Sequence, residues 1–159
     1  VLGGGMSSRL FQEIREKRGL AYSVYAYSGH YSDAGLFGMA AGTGPEYVDT
    51  VVRVMQDIFR EIVAEGITEE ELERTLGNLQ GASSLALEST DTRMVRLGRS
   101  EIHTGEFVDR EEALRRLDLV TLGSVKDLAA SVAGGPLSAV AVGAISDTAL
   151  DSVGSLVAD

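Results

Sequence analysis

Three features of the chain predict an α+β fold. Tyr22–Ser28 is rich in aromatic and β-branched residues and Leu36–Thr43 carries an apolar period of two, with HYSDAG turning between them, which is the pattern of an antiparallel hairpin. From Pro45 to Gly134 the chain reads as successive helices, the first marked by an unbroken apolar stripe from Val48 to Val63 and later ones by caps and glycine stops. A continuous apolar run, PLSAVAVGAI (Pro136 to Ile145), then reads as a last strand. The resulting order is helix, hairpin, several helices, strand, helix. Strands that do not alternate with helices favour an antiparallel or mixed sheet with helices packed on one face.

Each element has its own local reason. VLGGGMSS opens with three glycines that break regular structure, and Ser7 or Ser8 is placed to cap a helix. Leu10, Phe11 and Ile14 give that helix an apolar stripe, and Gly19 sits where a left-handed stop belongs. In the hairpin, Phe37, Met39 and Ala41 fall on one face and are predicted core. Pro45 opens the clearest helix, whose stripe is Val48, Val51, Val52, Met55, Ile58, Phe59, Ile62 and Val63, and Gly66 ends it. Thr68 and Glu71 form a T-x-x-E capping box for a helix towards Glu88. Further helices are predicted over Asp91–Ile102 and Arg110–Leu117, then one capped by Ser124 and stopped by Gly134-Gly135, and one at the C-terminus. Three strands make a thin sheet for so many helices, so the domain is expected to be truncated at its N-terminus, with strands preceding Val1.

The 159 residues suffice for one domain and a sizeable core, so residues 1–159 are taken as a single, partial domain. The absence of cysteine excludes disulfides, thiol catalysis and cysteine-ligated metals. The net charge of −10 argues against nucleic acid and anionic membrane as partners. No apolar run reaches the ~18 residues of a membrane span, and a cytoplasmic location is the expectation. A small basic island, Arg9, Arg15, Lys17 and Arg18 against Glu13 and Glu16, stands out on this acidic background.

Most candidate sites dissolve on inspection. Gly3-Gly4-Gly5 before a helix resembles an anion cradle, but neither GxxxxGK[ST] nor G-x-G-x-x-G is satisfied, so a loop or tight turn is the better reading. The histidines are His30, read as a turn residue, and His103. His103-Thr-Gly-Glu106-Phe107 begins like H-x-x-E-H but has Phe where the second histidine belongs, and Gly105 signals a helix end. One His and one carboxylate are too few ligands for a catalytic zinc, so no metal site is expected on this chain. No G-x-S-x-G elbow is present. What remains is Arg15 and Tyr22, seven residues apart across Gly19, which a helix end and a strand start can bring to one point. Together they offer rigid donors to a carbonyl oxygen on which charge develops. An arginine paired with a carboxylate and a tyrosine at a sheet edge is the simpler reading of the same residues, and both readings stay open here.

GGGMSSRLFQEIREKRGLAYSVYA closely resembles the start of the C-terminal conserved region of pitrilysin-like zinc peptidases, the inverzincins related to mitochondrial processing peptidase. TEEELER, LGRSEIHTGEF, DREEALRRLDLVTLGSVKDLA and LSAVAVGAI extend the likeness along nearly the whole chain. The resemblance implies homologous α+β domains around a chamber that holds an extended peptide. In it, zinc and the H-x-x-E-H motif lie in an N-terminal domain or subunit, and zinc activates the attacking water. The C-terminal domain holds no metal and supplies an R-x6-Y pair to the peptide backbone, which falls here on Arg15 and Tyr22.

This chain lacks H-x-x-E-H. The resemblance therefore implies a zinc-free, substrate-binding half of a zinc metallopeptidase, inactive alone, with the metal on its partner half. Peptide or unfolded polypeptide is the implied substrate, Tyr22 the auxiliary catalytic donor and Arg15 the backbone clamp. The alternative is a non-catalytic scaffold of the same family that binds peptides or partners without cleaving them. A free sheet edge also invites pairing of two copies.

Overall fold

The computed structural model describes residues 1–31, 33–105, 107–146, 148–151 and 153, with the side chains of His103 and Thr104 outside the description. These residues pack as two compact units, one formed by residues 1–67 with 123 onward and the other by residues 68–122.

The first unit holds the hairpin. Strands β1 (Ala21–His30) and β2 (Gly35–Thr43) pair antiparallel, from His30 opposite Gly35 to Ala21 opposite Thr43. His30 therefore ends a strand and does not sit in the turn. A 3-10 turn at Pro45–Tyr47 leads into α1 (Val48–Glu65), which Gly66 stops with a φ of 88°. The core joins Leu10 and Ile14, both fully buried, to Ala21 and Val24 of β1 and to Val51, Val54, Met55 and Ile58 of α1. The predicted α1 stripe is largely the buried face, with Val54 and Gln56 added and Val48, Val52 and Val63 half-buried. Met39 and Ala41 pack against this core as expected. Phe37 is 38% exposed, although its ring stacks on Phe59 with centroids 5.7 Å apart.

The second unit is helical. Helix α2 (Glu69–Ala86) starts at the expected capping box: the Glu71 amide donates to the Thr68 hydroxyl at 3.2 Å and the Thr68 amide to the Glu71 carboxylate at 2.9 Å. Helix α3 (Thr90–Thr104) is capped by Ser89 and ends at Gly105 in the left-handed region, as read from the sequence. Helix α4 (Arg110–Asp118) is capped by Asp109.

Helix α5 (Leu122–Ala133) belongs to the first unit from Gly123 onward and already includes Ser124, so that serine is not its cap. The sharpest departure from expectation is Pro136–Ile145, which is neither helix nor strand. Among the described residues the sheet has two strands, and this segment has no ladder partner to define it as a third. It instead forms one wall of an apolar cavity of about 580 Å³ whose other walls are β2 and α1. Val140 and Val142 lie almost fully exposed along it. The expected C-terminal helix falls largely outside the described residues.

Candidate functional site

Construction of the site begins at the first two residues. The amides of Arg9 and Leu10 donate to the carbonyls of Val1 and Leu2, each at 3.0 Å. Those backbone carbonyls satisfy first-turn donors that a serine was expected to serve. Ser8 is buried and its hydroxyl has no hydrogen-bond partner among the described residues, so it does not cap. The opening segment then crosses β1: the Ala26 amide donates to the Gly3 carbonyl at 3.1 Å. A Cβ on Gly3 would overlap the Ala26 nitrogen and stand 2.9 Å from the Ala26 Cβ, so this crossing requires glycine. Gly4 and Gly5 have open space around them.

The helix that follows is not an α-helix. Phe11–Lys17 is a π-helical segment, wider than α by one residue per hydrogen-bonded ring and often found where a side chain is re-aimed for function. Ile14 anchors it in the core. Arg9 fixes its start to the end of α1, pairing with Glu61 at 3.3 Å and donating to the Gly66 carbonyl at 3.3 Å. Gly19, with a φ of 61°, reverses the chain; its amide bonds the Arg15 carbonyl, and the Leu20 amide bonds the Ile14 carbonyl at 2.9 Å.

β1 then begins with a bulge. Ala21 faces Thr43 and Ser23 faces Gly42, so Tyr22 is an extra residue on this strand. The bulge lets both Ala21 and Val24 point into the core, three apart where regular alternation would give two. Tyr22 is thrown outward and is 81% exposed.

These two irregularities bring the predicted pair together. The Arg15 guanidinium carbon lies 4.6 Å from the centroid of the Tyr22 ring and 4.9 Å from that of Phe11. The cation is flanked by two aromatic rings, an arrangement worth about 0.5–1 kcal/mol per pair at exposed sites. Arg15 also has Glu16 at 3.7 Å, a loose ion pair. Among the described residues neither the guanidinium nor the Tyr22 hydroxyl is committed to a hydrogen bond, so both present donors outward. Phe11 was read as core alone, and its half-buried ring as the second support of Arg15 was missed.

The rest of the basic island is neutralised locally. Glu13 holds Lys17 at 2.5 Å and Arg18 at 3.6 Å, and the hydrogen bond from Lys17, ahead of the nearby charges, keeps its carboxyl below the ordinary range. The 580 Å³ cavity is lined by neither Arg15 nor Tyr22, so the pair stands on open surface at the bulge. Among the described residues no group of three His, Cys, Asp or Glu side chains could hold a metal. The His103 side chain and Glu106 lie outside the described residues. No helix among those described is long and apolar enough to cross a membrane.

Residues 1–79 match the family model described as the peptidase M16 inactive domain. An uncharacterized zinc protease of Streptomyces coelicolor is 44% identical over 147 residues, covering 92% of this chain and 32% of the relative. One from Bacillus subtilis is 40% identical over 129 residues, covering 81% and 32% respectively. The crystal structure of a peptidase M16 inactive domain from Pseudomonas fluorescens superposes with a TM-score of 0.72 at 29% identity, over 82% of this chain and 31% of that one. A chain of complex III from Candida albicans, 21% identical with a TM-score of 0.69, shares the fold. The chain thus spans about a third of the length of its curated relatives.

Proposed function

Taking as premise that residues 1–79 belong to the peptidase M16 inactive-domain family, we propose that the chain is the substrate-binding, zinc-free half of a zinc peptidase. The observation that carries this reading is the convergence of Arg15 and Tyr22 at a solvent-facing bulge, with the guanidinium stacked on the phenol ring. A cation over the ring face restricts how the phenol can swing and leaves its hydroxyl free to donate. In this reading Tyr22 donates to the carbonyl oxygen of an extended peptide and strengthens that bond as negative charge develops there. Arg15 contributes guanidinium donors to the neighbouring peptide carbonyl and holds the phenol in place. Zinc belongs to the partner half, on the same chain or another, and no step on this half requires it to bind metal. Relatives named as zinc proteases support that assignment.

The non-catalytic scaffold has less to recommend it. A scaffold gains nothing from two uncommitted donors aimed outward from a π-helix and a bulge. The likeness to complex III concerns fold alone.

Tyr22→Phe in the full-length protein, assembled with its zinc-bearing half, tests the proposal. The substitution keeps the ring that supports Arg15 and removes the donor alone. Peptide turnover is expected to fall about 10²–10³-fold, the usual cost of one lost oxyanion donor, with zinc content unchanged. Wild-type kcat in the variant would return Tyr22 to a structural role.

A further inference from the structure

The helical unit of residues 68–122 contains a second feature that the Arg15–Tyr22 pair does not explain. Between the end of α2, the face of α3 and the start of α4 lies a cavity of about 390 Å³. Arg93, Arg96 and Arg110 all line it. Most other arginines of this acidic chain, Arg99 excepted, sit against carboxylates: Arg9 on Glu61, Arg15 loosely on Glu16, Arg18 on Glu13, Arg53 on Asp49, Arg60 on Asp57, Arg74 on Glu70, and Arg115 and Arg116 on Glu112. Among the described residues none of the three cavity arginines has such a partner. Glu88 is in the wall but makes no ion pair with them.

The three are held in place by neutral groups. Arg93 donates through Nε to the Leu87 carbonyl, Arg96 donates to the carbonyls of Val108 at 2.9 Å and Asp109 at 3.4 Å, and Arg110 donates to the Ser84 hydroxyl at 3.0 Å. Each guanidinium has five N–H donors, so these bonds use a minority and fix the orientation of the remainder. Three fixed cations with spare donors at one concavity form a preorganised oxyanion receptor, and their mutual repulsion is relieved when an anion binds. The remaining lining is apolar, with Leu87, Leu97 and the half-exposed ring of Phe107.

We infer that this cavity binds a small organic anion, a carboxylate or phosphate group carried on an apolar body, with the headgroup on Arg93, Arg96 and Arg110 and the body against Phe107. The site lies wholly within the helical unit and stands independently of the peptidase reading.

The experiment is an NMR titration of the ¹⁵N-labelled 159-residue chain with phenylacetate, phenyl phosphate, inorganic phosphate and benzyl alcohol. Phenylacetate or phenyl phosphate is expected to give saturable shifts confined to the three arginines, Leu87 and Phe107, with a Kd of about 1 mM or below. Inorganic phosphate should bind about tenfold more weakly, and benzyl alcohol should leave these signals unmoved. Whichever organic anion binds more tightly identifies the headgroup. Arg110→Gln and Arg93→Gln should each weaken binding by about tenfold or more while leaving the circular dichroism spectrum intact. Arg96 is left unchanged because it braces the approach to α4. Three results overturn the inference: no saturable shift with any anion, benzyl alcohol binding as well as the anions, or unaltered binding in both variants. Equal binding of inorganic phosphate and phenyl phosphate overturns the assignment of the apolar wall.

Discussion

Gly3→Ala forces a methyl into the crossing of the opening segment over β1 and makes a quantitative test of how the π-helix is held. The new methyl would overlap the Ala26 nitrogen and crowd the Ala26 Cβ and the Tyr25 carbonyl carbon, each at 2.9 Å. Backbone cannot yield as a flexible side chain does, so the opening segment must lift from β1. That breaks the bond from the Ala26 amide to the Gly3 carbonyl, about 1 kcal/mol net. Overpacking adds about 1–3 kcal/mol. The sum, about 2–4 kcal/mol, is a large fraction of the 5–15 kcal/mol that holds a typical domain together. All five tyrosines lie between residues 22 and 47 and the chain has no tryptophan, so tyrosine fluorescence reports on this unit. In urea, with an m-value of about 2 kcal/mol/M, the midpoint should fall by about 1–2 M. Gly4→Ala, with nothing near its added methyl, should stay within about 0.5 kcal/mol of the parent chain. If Gly3→Ala unfolds at the same urea concentration as Gly4→Ala, the crossing does not anchor the helix and the account of its start is wrong.

Gly19→Ala places a Cβ at a φ of 61° and should cost about 1–2 kcal/mol in the same urea assay; an unchanged midpoint would show that the reversal tolerates other backbone conformations. Thr68→Ala removes one half of the capping box and should destabilise α2 by about 1 kcal/mol, read from the far-ultraviolet circular dichroism of thermal unfolding, whereas no loss would mean the box is idle. Glu112, hydrogen-bonded by Arg115 and then Arg116, has its carboxyl pulled down to about 2 from an ordinary 4.5. The unfolded chain therefore takes up that proton first, so the stabilising contribution is complete above pH 4.5 and is lost as pH falls towards about 2. Carboxyl NMR should follow that titration, and Arg115→Gln or added salt should move it up towards the ordinary value; a titration indifferent to both would deny the ion pairs.

The helices were legible because their signals are local. T-x-x-E at Thr68, the apolar stripe from Val48 to Val63, and the stops at Gly19, Gly66 and Gly105 each act within a turn or two of the chain. The hairpin was legible for the same reason. Pro136–Ile145 was misread because apolar composition marks a segment that wants burial, while a strand exists only where a neighbour supplies its ladder. The Ser7 or Ser8 cap failed because Val1 and Leu2 carbonyls reached the first-turn amides, a tertiary arrangement invisible to a motif. At the site, Arg15 and Tyr22 could be named from spacing across Gly19. Their stacking depends on a π-helix and a bulge, each an insertion of one residue into a regular lattice, and neither leaves a strong local mark.

The central claim is that Arg15 and Tyr22 act as one device on the substrate carbonyl. The most direct measurement is a kinetic double-mutant cycle in the full-length protein, comparing Arg15→Gln, Tyr22→Phe and the double variant for kcat and KM with equal zinc content. Groups that act as a unit are strongly non-additive, so the double variant should lose about as much kcat as Tyr22→Phe alone. Losses that simply multiply, or no loss in any variant, would contradict it.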